Sequence, residues 1–308
     1  MRIFVLFASL FIYSLCFAES NAERPNLDDL EVRKKIIEQA VEFDVVKKAD
    51  GSMQYFEPLE LSPYRGSAWG ALYYSNRNIK GLYQLKDGKQ DGLLTVWYEN
   101  GQKQAEGNWK DGKQDGLATV WYENGEKKDE GNYKDGEVDG LLTIWYENGT
   151  KKDEGNYKDG KEDGLFTKWY ENGQKKAEVN FKDGKKDGLT TFWYENGEKE
   201  KEGNYKDGEV DGLLTIWYEN GTKKAEVNMS DGKVVNGKVW LPDGRICPIS
   251  KIKDGSGVFV VYDNEGKEVS RKKFKDGFEV NEKTKTPSDN SIPLPNLDEG
   301  AFPAVFPE

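Results

Sequence analysis

The sequence predicts an all-β repeat array, an elongated antiparallel β-meander of hairpin repeats preceded by a short N-terminal helix. Three observations carry that reading. Trp-Tyr-Glu-Asn-Gly begins at Trp97, Trp121, Trp145, Trp169, Trp193 and Trp217, always 24 residues apart. Lys-Asp-Gly begins at Lys110, Lys134, Lys158, Lys182 and Lys206 on the same period, with Ser230-Asp231-Gly232 as a sixth copy. No proline occurs between Pro63 and Pro242, as continuous strand pairing requires. Self-similarity at one fixed period is the mark of a repeat architecture.

The elements follow in chain order. Residues 1–18 read as a secretory signal: Arg2 is the positive start, Ile3 to Phe17 is largely apolar, and Cys16 and Ala18 are small residues before Glu19. Cleavage is expected between Ala18 and Glu19. A rival reading acylates Cys16 as a lipoprotein, but Leu15 before it is bulkier than a lipobox normally allows. The apolar stretch is short for a spanning helix, which needs about 20 residues. The mature chain is therefore expected to be exported, periplasmic or extracellular, and not integral to a membrane.

Residues 19–65 read as a helix and a capping hairpin. Leu27 to Val41 suits the helix, with Asn26 as cap and Asp28 and Asp29 at its positive end. Phe43 to Phe56, around Asp50-Gly51, suits a hairpin, and together they are expected to cover the first sheet edge.

The array occupies residues 66–278. Six regular units run from Asp91 to Val234, with looser copies on either side. The segment from Gly131 to Lys152 recurs unchanged at Gly203 to Lys224, which points to duplication of a three-unit block. Asn-Gly and Asp-Gly are strong signals for two-residue turns, because both central positions need positive φ. Taking Asn100-Gly101 and Asp111-Gly112 as turn centres puts Leu93, Thr95 and Trp97 on one face with Gln104, Glu106 and Asn108. The other face then carries Leu94, Val96 and Tyr98 with Lys103, Ala105, Gly107 and Trp109. Gly107 faces Leu94, and its equivalents become Val179 and Val227, so a small residue there relieves crowding. Some 16–18 strands at ~4.8 Å would make a twisted sheet roughly 75–85 Å long.

Residues 279–308 hold five prolines among Ser, Asn and Asp and read as a disordered tail. If Ala18 is the cleavage site, Cys247 remains without a disulfide partner in its own chain, and a buried, inert thiol is expected.

Composition excludes much chemistry. The 308 residues carry 45 basic and 56 acidic side chains, a formal charge of −11, and no histidine. Binding to nucleic acid or anionic lipid needs a basic field that this chain lacks, and six units with a net −10 make the array itself anionic. Without histidine the commonest general base and zinc ligand are missing. The Asp-Gly-x-x-Asp-Gly turns suggest a calcium site, but flanking lysines and a low ligand count oppose it, and turn geometry already accounts for them. Near-identical units offer no pair of carboxylates in contrasting environments. No enzyme activity, metal or cofactor is expected. The aromatic ladder of Trp97, Trp121, Trp145, Trp169, Trp193 and Trp217 with Tyr98, Tyr122, Tyr146, Tyr170, Tyr194 and Tyr218 would fall on every second strand, about 9–10 Å apart. It is either the sheet's own stabilisation or a stacking platform for an extended polymer.

The unit, written out from Asp163 to Gly184, resembles the bacterial variant of the MORN repeat over about residues 64–278, and Pro63-Tyr64-Arg65-Gly66 resembles the motif that opens such arrays. The resemblance implies a β-hairpin array without catalytic residues. Some members are labelled YwqK-type antitoxins, and MORN repeats more widely are linked to scaffolding and membrane association. The expected function is that of an exported, non-enzymatic interaction or scaffold module at the cell envelope, with another protein as partner. An antitoxin or immunity protein that neutralises a toxin is the second reading, and glycan binding through the aromatic ladder the third.

Overall fold

A computed structural model describes residues 25–40, 44–47, 53–56 and 66–280. The signal segment with its Ala18–Glu19 site, Cys16, the Pro63 motif and the Pro-rich tail lie outside the described residues. The first unit of the chain, Met1–Gln39, contains helix α1 (Leu30–Gln39). Its cap differs from the expectation. Asp29, not Asn26, accepts the free amides of the first turn, through Oδ1 from Glu31 N (2.8 Å) and Val32 N (3.2 Å). Asn26 instead closes the turn before it, accepting from Asp28 N at 3.0 Å.

The second unit starts with a separate two-stranded sheet, β1 (Asp44–Lys47) paired with β2 (Met53–Phe56). Nineteen strands then form one sheet. β3 (Ser67–Tyr73) and β4 (Ile79–Lys86) lead into the regular units. These comprise β5 (Lys89–Trp97), β6 (Lys103–Lys110), β7 (Lys113–Trp121), β8 (Lys127–Lys134), β9 (Glu137–Trp145) and β10 (Lys151–Lys158). They continue as β11 (Lys161–Trp169), β12 (Lys175–Lys182), β13 (Lys185–Trp193), β14 (Lys199–Lys206), β15 (Glu209–Trp217) and β16 (Lys223–Ser230). β17 (Lys233–Trp240), β18 (Ile246–Lys253), β19 (Ser256–Tyr262), β20 (Glu268–Lys275) and β21 (Phe278–Glu279) complete it. Every strand pairs antiparallel with its sequence neighbours. The order can be written as a ring, yet among the described residues β3 has a ladder with β4 alone and β21 with β20 alone. The sheet is open.

The two turns of a unit differ. At Asp111-Gly112 both residues take positive φ, 52° and 86°, as a two-residue primed turn demands. At the other end only Gly101 does, at 86°. There Tyr98, Glu99, Asn100 and Gly101 form a four-residue turn, closed by Gly101 N to Tyr98 O and Tyr98 N to Gln102 O, both 2.9 Å. Asn100 Oδ1 accepts from Gln102 N at 2.9 Å, so its side chain shapes the turn instead of its φ. The longer turn brings a bulge: Val96 faces Ala105, but Trp97 faces Lys103 and skips Gln104. Lys103 therefore moves to the Trp97 face, opposite to the expected one. Further along, Leu93, Leu94 and Thr95 face Asn108, Gly107 and Glu106, the expected register. A second shift falls where Gly116, at φ 108°, bends β7 against β6. The second Asp-Gly of each Asp-Gly-x-x-Asp-Gly motif is thus a bend within a strand.

One sheet buries one face by rolling up. Gly112 N donates to Gln90 O at 2.7 Å, and the same bond recurs from Gly136, Gly160, Gly184 and Gly208 to the unit before. A flat sheet would hold these backbones two strands, about 9.6 Å, apart. The edge is drawn in. The inside of the curl is the face of Leu94, and on it Ala105, Leu142, Phe166, Ala177, Val179, Phe192 and Leu214 are buried. At its centre Phe166 meets Tyr157 and Phe181 edge-on, with centroids 5.2 and 5.1 Å away. A Cβ on Gly155 would come within 2.2 Å of the Phe166 ring. Val179 occupies the glycine column where its other neighbour is the small Thr190, and Val227 where it is Gly237. Bulk is exchanged across the pair, not added.

Candidate functional site

The outer face, that of Leu93, Thr95 and Trp97, carries the repeated chemistry. Thr95 Oγ1 donates to Glu106 Oε2 at 3.1 Å, and Lys103 Nζ reaches the same oxygen at 2.9 Å. The Thr to Glu bond recurs at Thr119–Glu130, Thr143–Glu154 and Thr191–Glu202, between 3.1 and 3.3 Å. Each Lys to Glu pair recurs as well, from Lys127–Glu130 to Lys223–Glu226. The bulge that turned Lys103 outward also puts its ammonium over the Trp121 ring, 5.6 Å from the centroid. Lys127, Lys151, Lys199 and Lys223 cover Trp145, Trp169, Trp217 and Trp240 in the same way, at 5.6 to 5.8 Å. Half-exposed pairs of this kind contribute well under ~1 kcal/mol each. Their effect is to neutralise charge along the row and to cover the indole faces.

Between these networks runs a line of leucines. Leu117, Leu141, Leu165, Leu189 and Leu213 are 43 to 51 % exposed, whereas Leu93, the first of the column, is 8 % exposed. Thr95 and Trp97 beside it are also buried, at 0 % and 2 %. Residue type and register towards the following strand are the same, but on the preceding strand Leu93 is bordered by Gln84, whose Oε1 accepts from Leu93 N at 2.7 Å, where Leu117 has Asn108. β2 lies close to β5. Both ladder sides of β5 are filled by β4 and β6. A strand that approaches β5 therefore does not extend its ladder, and the face of β5 that is more buried than in the later units is the leucine face.

The predicted aromatic ladder divides into two sets. Trp97 is buried, while Trp121, Trp145, Trp169, Trp193 and Trp217 are half-buried on the outer face. The tyrosines sit in the four-residue turns and tie unit to unit. Tyr98 Oη donates to Trp121 O at 2.8 Å, and Tyr122, Tyr146, Tyr170, Tyr194 and Tyr218 donate to the next Trp carbonyl at 2.7 to 2.9 Å. Burial, then nearby carboxylates, holds Tyr194 up at about 12. Burial does the same to Tyr218, with Tyr262 next among the causes. Along the same edge Asn100 Nδ2 donates to Glu123 O at 3.2 Å. These hydroxyls are committed to the array itself.

Sequence reasoning passed over the departures from periodicity on the inner face. The Ala105 column reads Ala105, Asp129, Asp153, Ala177, Lys201 and Ala225, and Asp129, Asp153 and Lys201 are all buried. Asp153 meets Lys168, which stands where other units have Val, Ile or Phe, at 3.4 Å. Burial raises the carboxyl of Asp129. Lys201 is 5 % exposed, with its ammonium 5.8 Å from the Phe192 ring centroid. Burial, with Lys186 nearby, brings it down to about 8. Reading the repeats as columns would have found these residues, because a charge in a column of alanines stands out. The conserved strings did not contain them.

The cavity lined by Met229, Val234, Phe274 and Phe278 holds about 20 Å³, room for one water. Cys247 is buried with Sγ 3.1 Å from Tyr262 Oη. Among the described residues no group of three acidic or Cys side chains is placed to hold a metal ion. Nor, among them, is any helix long and apolar enough to cross a membrane.

No curated protein matches this chain. Among solved structures, an alternansucrase in complex with isomaltononaose aligns with 76 % of this chain and 18 % of that one, at 16 % identity and a TM-score of 0.17. This chain thus spans less than a fifth of that protein, and so low a score carries no argument. The family described as MORN repeat variant matches residues 90–111, 114–135, 138–159, 162–183, 186–207 and 210–231, so that the regular array consists of six tandem matches to that repeat, one to each 24-residue unit.

Proposed function

We propose that this chain is an exported, non-enzymatic repeat protein whose sheet binds another protein at the cell envelope or outside the cell. The carrying observation is the outer face: five leucines, 43 to 51 % exposed, repeat at equal spacing beside half-buried indoles. Leucines so exposed, alternating with asparagines such as Asn132 and Asn156, form a repeated surface that a partner can bind unit by unit. Repeat arrays offer such extended surface in place of a pocket. The lysines over Trp121, Trp145, Trp169 and Trp217 occupy the ring faces on which a sugar would stack, which weighs against glycan binding. Export rests on residues 1–18, and N-terminal sequencing of secreted protein should begin at Glu19. An immunity role, with a toxin as the partner, is a special case of the same binding reading.

The test is a pull-down with residues 19–308 from envelope and culture-fluid extracts of the producing cells at physiological salt. The control lacks residues 139–210, three whole units, so that register is kept across the junction. A stoichiometric protein that is lost with the three units supports the reading. Absence of any specific protein in both extracts refutes it.

A further inference from the structure

We infer that the leucine face of units two to six docks an apolar β-hairpin from a second protein, as the paired strands β1 and β2 of this chain approach β5. The inference deepens the binding reading above and rests on it. Leu, Thr and Trp are the same residues in the same register at Leu93, Thr95 and Trp97 and in each later unit. Their surroundings change: Leu93 is bordered on β4 by Gln84, and β2 lies close to β5. Leu93 is 8 % exposed where β2 approaches β5, and Leu117, Leu141, Leu165, Leu189 and Leu213 are 43 to 51 % exposed beyond it. The chain therefore holds one covered copy of the surface, and the element close to it is the paired strands β1 and β2.

Charge and shape agree with that occupant. The segment from Asp44 to Phe56 carries Asp44 and Asp50 against Lys47 and Lys48, so it is neutral, and it is otherwise rich in Val, Met, Tyr and Phe. The face it covers is neutral too, because Lys103 and Glu106 and their equivalents are paired. The open row is one side chain wide, with a leucine on every second strand, about 9–10 Å apart. A narrow neutral row takes a slender apolar element. A second broad sheet would leave most of its own face uncovered.

The probe is a cyclised peptide of residues 43–57 whose NMR spectrum shows the Asp44–Phe56 and Lys47–Met53 pairings. It is titrated into the full chain and followed by tryptophan fluorescence. More than one peptide should bind per chain. Binding should weaken at least tenfold when Leu117, Leu141, Leu165, Leu189 and Leu213 are all changed to Glu, in a variant whose circular dichroism matches the parent. No binding in the millimolar range, or binding that the five changes leave intact, overturns the inference. Self-association of the full chain that the same changes abolish also overturns it, because a second copy would then be the occupant. If the five-Glu variant still retains the pull-down partner, the general binding reading stands and this surface is the wrong one.

Discussion

Lys201 should be a liability, and replacing it by Met should make the protein more stable. Its column holds Ala105, Ala177 and Ala225, so the backbone there needs no charge. In the fold its side chain is 5 % exposed, and burial brings its titration from the ordinary 10.5 down to about 8. That gap corresponds to about 3 kcal/mol of unfavourable free energy when the group is protonated in both states. The sign follows from which state binds the proton more tightly. Below about pH 8 folded and unfolded chains are both protonated and the full penalty applies. Between about 8 and 10.5 the folded chain gives up its proton first, so stability from this group rises with pH. Met keeps the aliphatic length against Phe192 and removes the charge, and such volume-conserving swaps cost little. Lys201→Met should therefore gain about 2–3 kcal/mol at pH 7, with the gain shrinking towards pH 10.5. Urea unfolding of both proteins at pH 7 and pH 9.5, followed by tryptophan fluorescence, measures it. A variant no more stable than the parent at pH 7, with a difference that does not change with pH, would refute the reasoning.

Other expectations can be checked on the same apparatus. Tyr146→Phe removes the donor to Trp169 O and should lower stability by about 1 kcal/mol, read as a drop in the urea midpoint. Gly155→Val meets the Phe166 ring and should cost 1–3 kcal/mol or more, while adding Phe166→Thr should recover most of it, as Val179 beside Thr190 already does. Leu93→Ala should cost about 2–4 kcal/mol, and Leu165→Ala less than about 1 kcal/mol, because burial alone separates the two. Ultraviolet titration should find tyrosines that ionise only near pH 12, and Tyr194→Phe and Tyr218→Phe should each remove one.

The reach of sequence reasoning can be traced turn by turn. Asp111-Gly112 was legible because both residues adopt the backbone that their types favour, whatever surrounds them. Asn100-Gly101 looked equivalent and is not. The Tyr98 amide and carbonyl close a longer turn, and Asn100 contributes its side chain. The single-residue bulge that results kept Leu93 and Thr95 opposite their expected partners but sent Lys103 to the other face, over Trp121. On the ladder, residue type suggested either a platform or a strut. Only the bond from Tyr98 Oη to Trp121 O, 23 residues on, shows the tyrosine acting between units.

The sequence by itself determined the strands, the antiparallel order and the inside-outside alternation, because turn propensity and a period of two are local properties repeated six times. The tertiary structure decided which face is buried, since that depends on the curl that draws Gly112 onto Gln90 across two strands. It also decided that one leucine of six is covered. The repeat unit does not encode that difference, because Leu93 and Leu165 occupy the same place in it and differ in what surrounds them, which for Leu93 is Gln84 of β4 and the nearby β2.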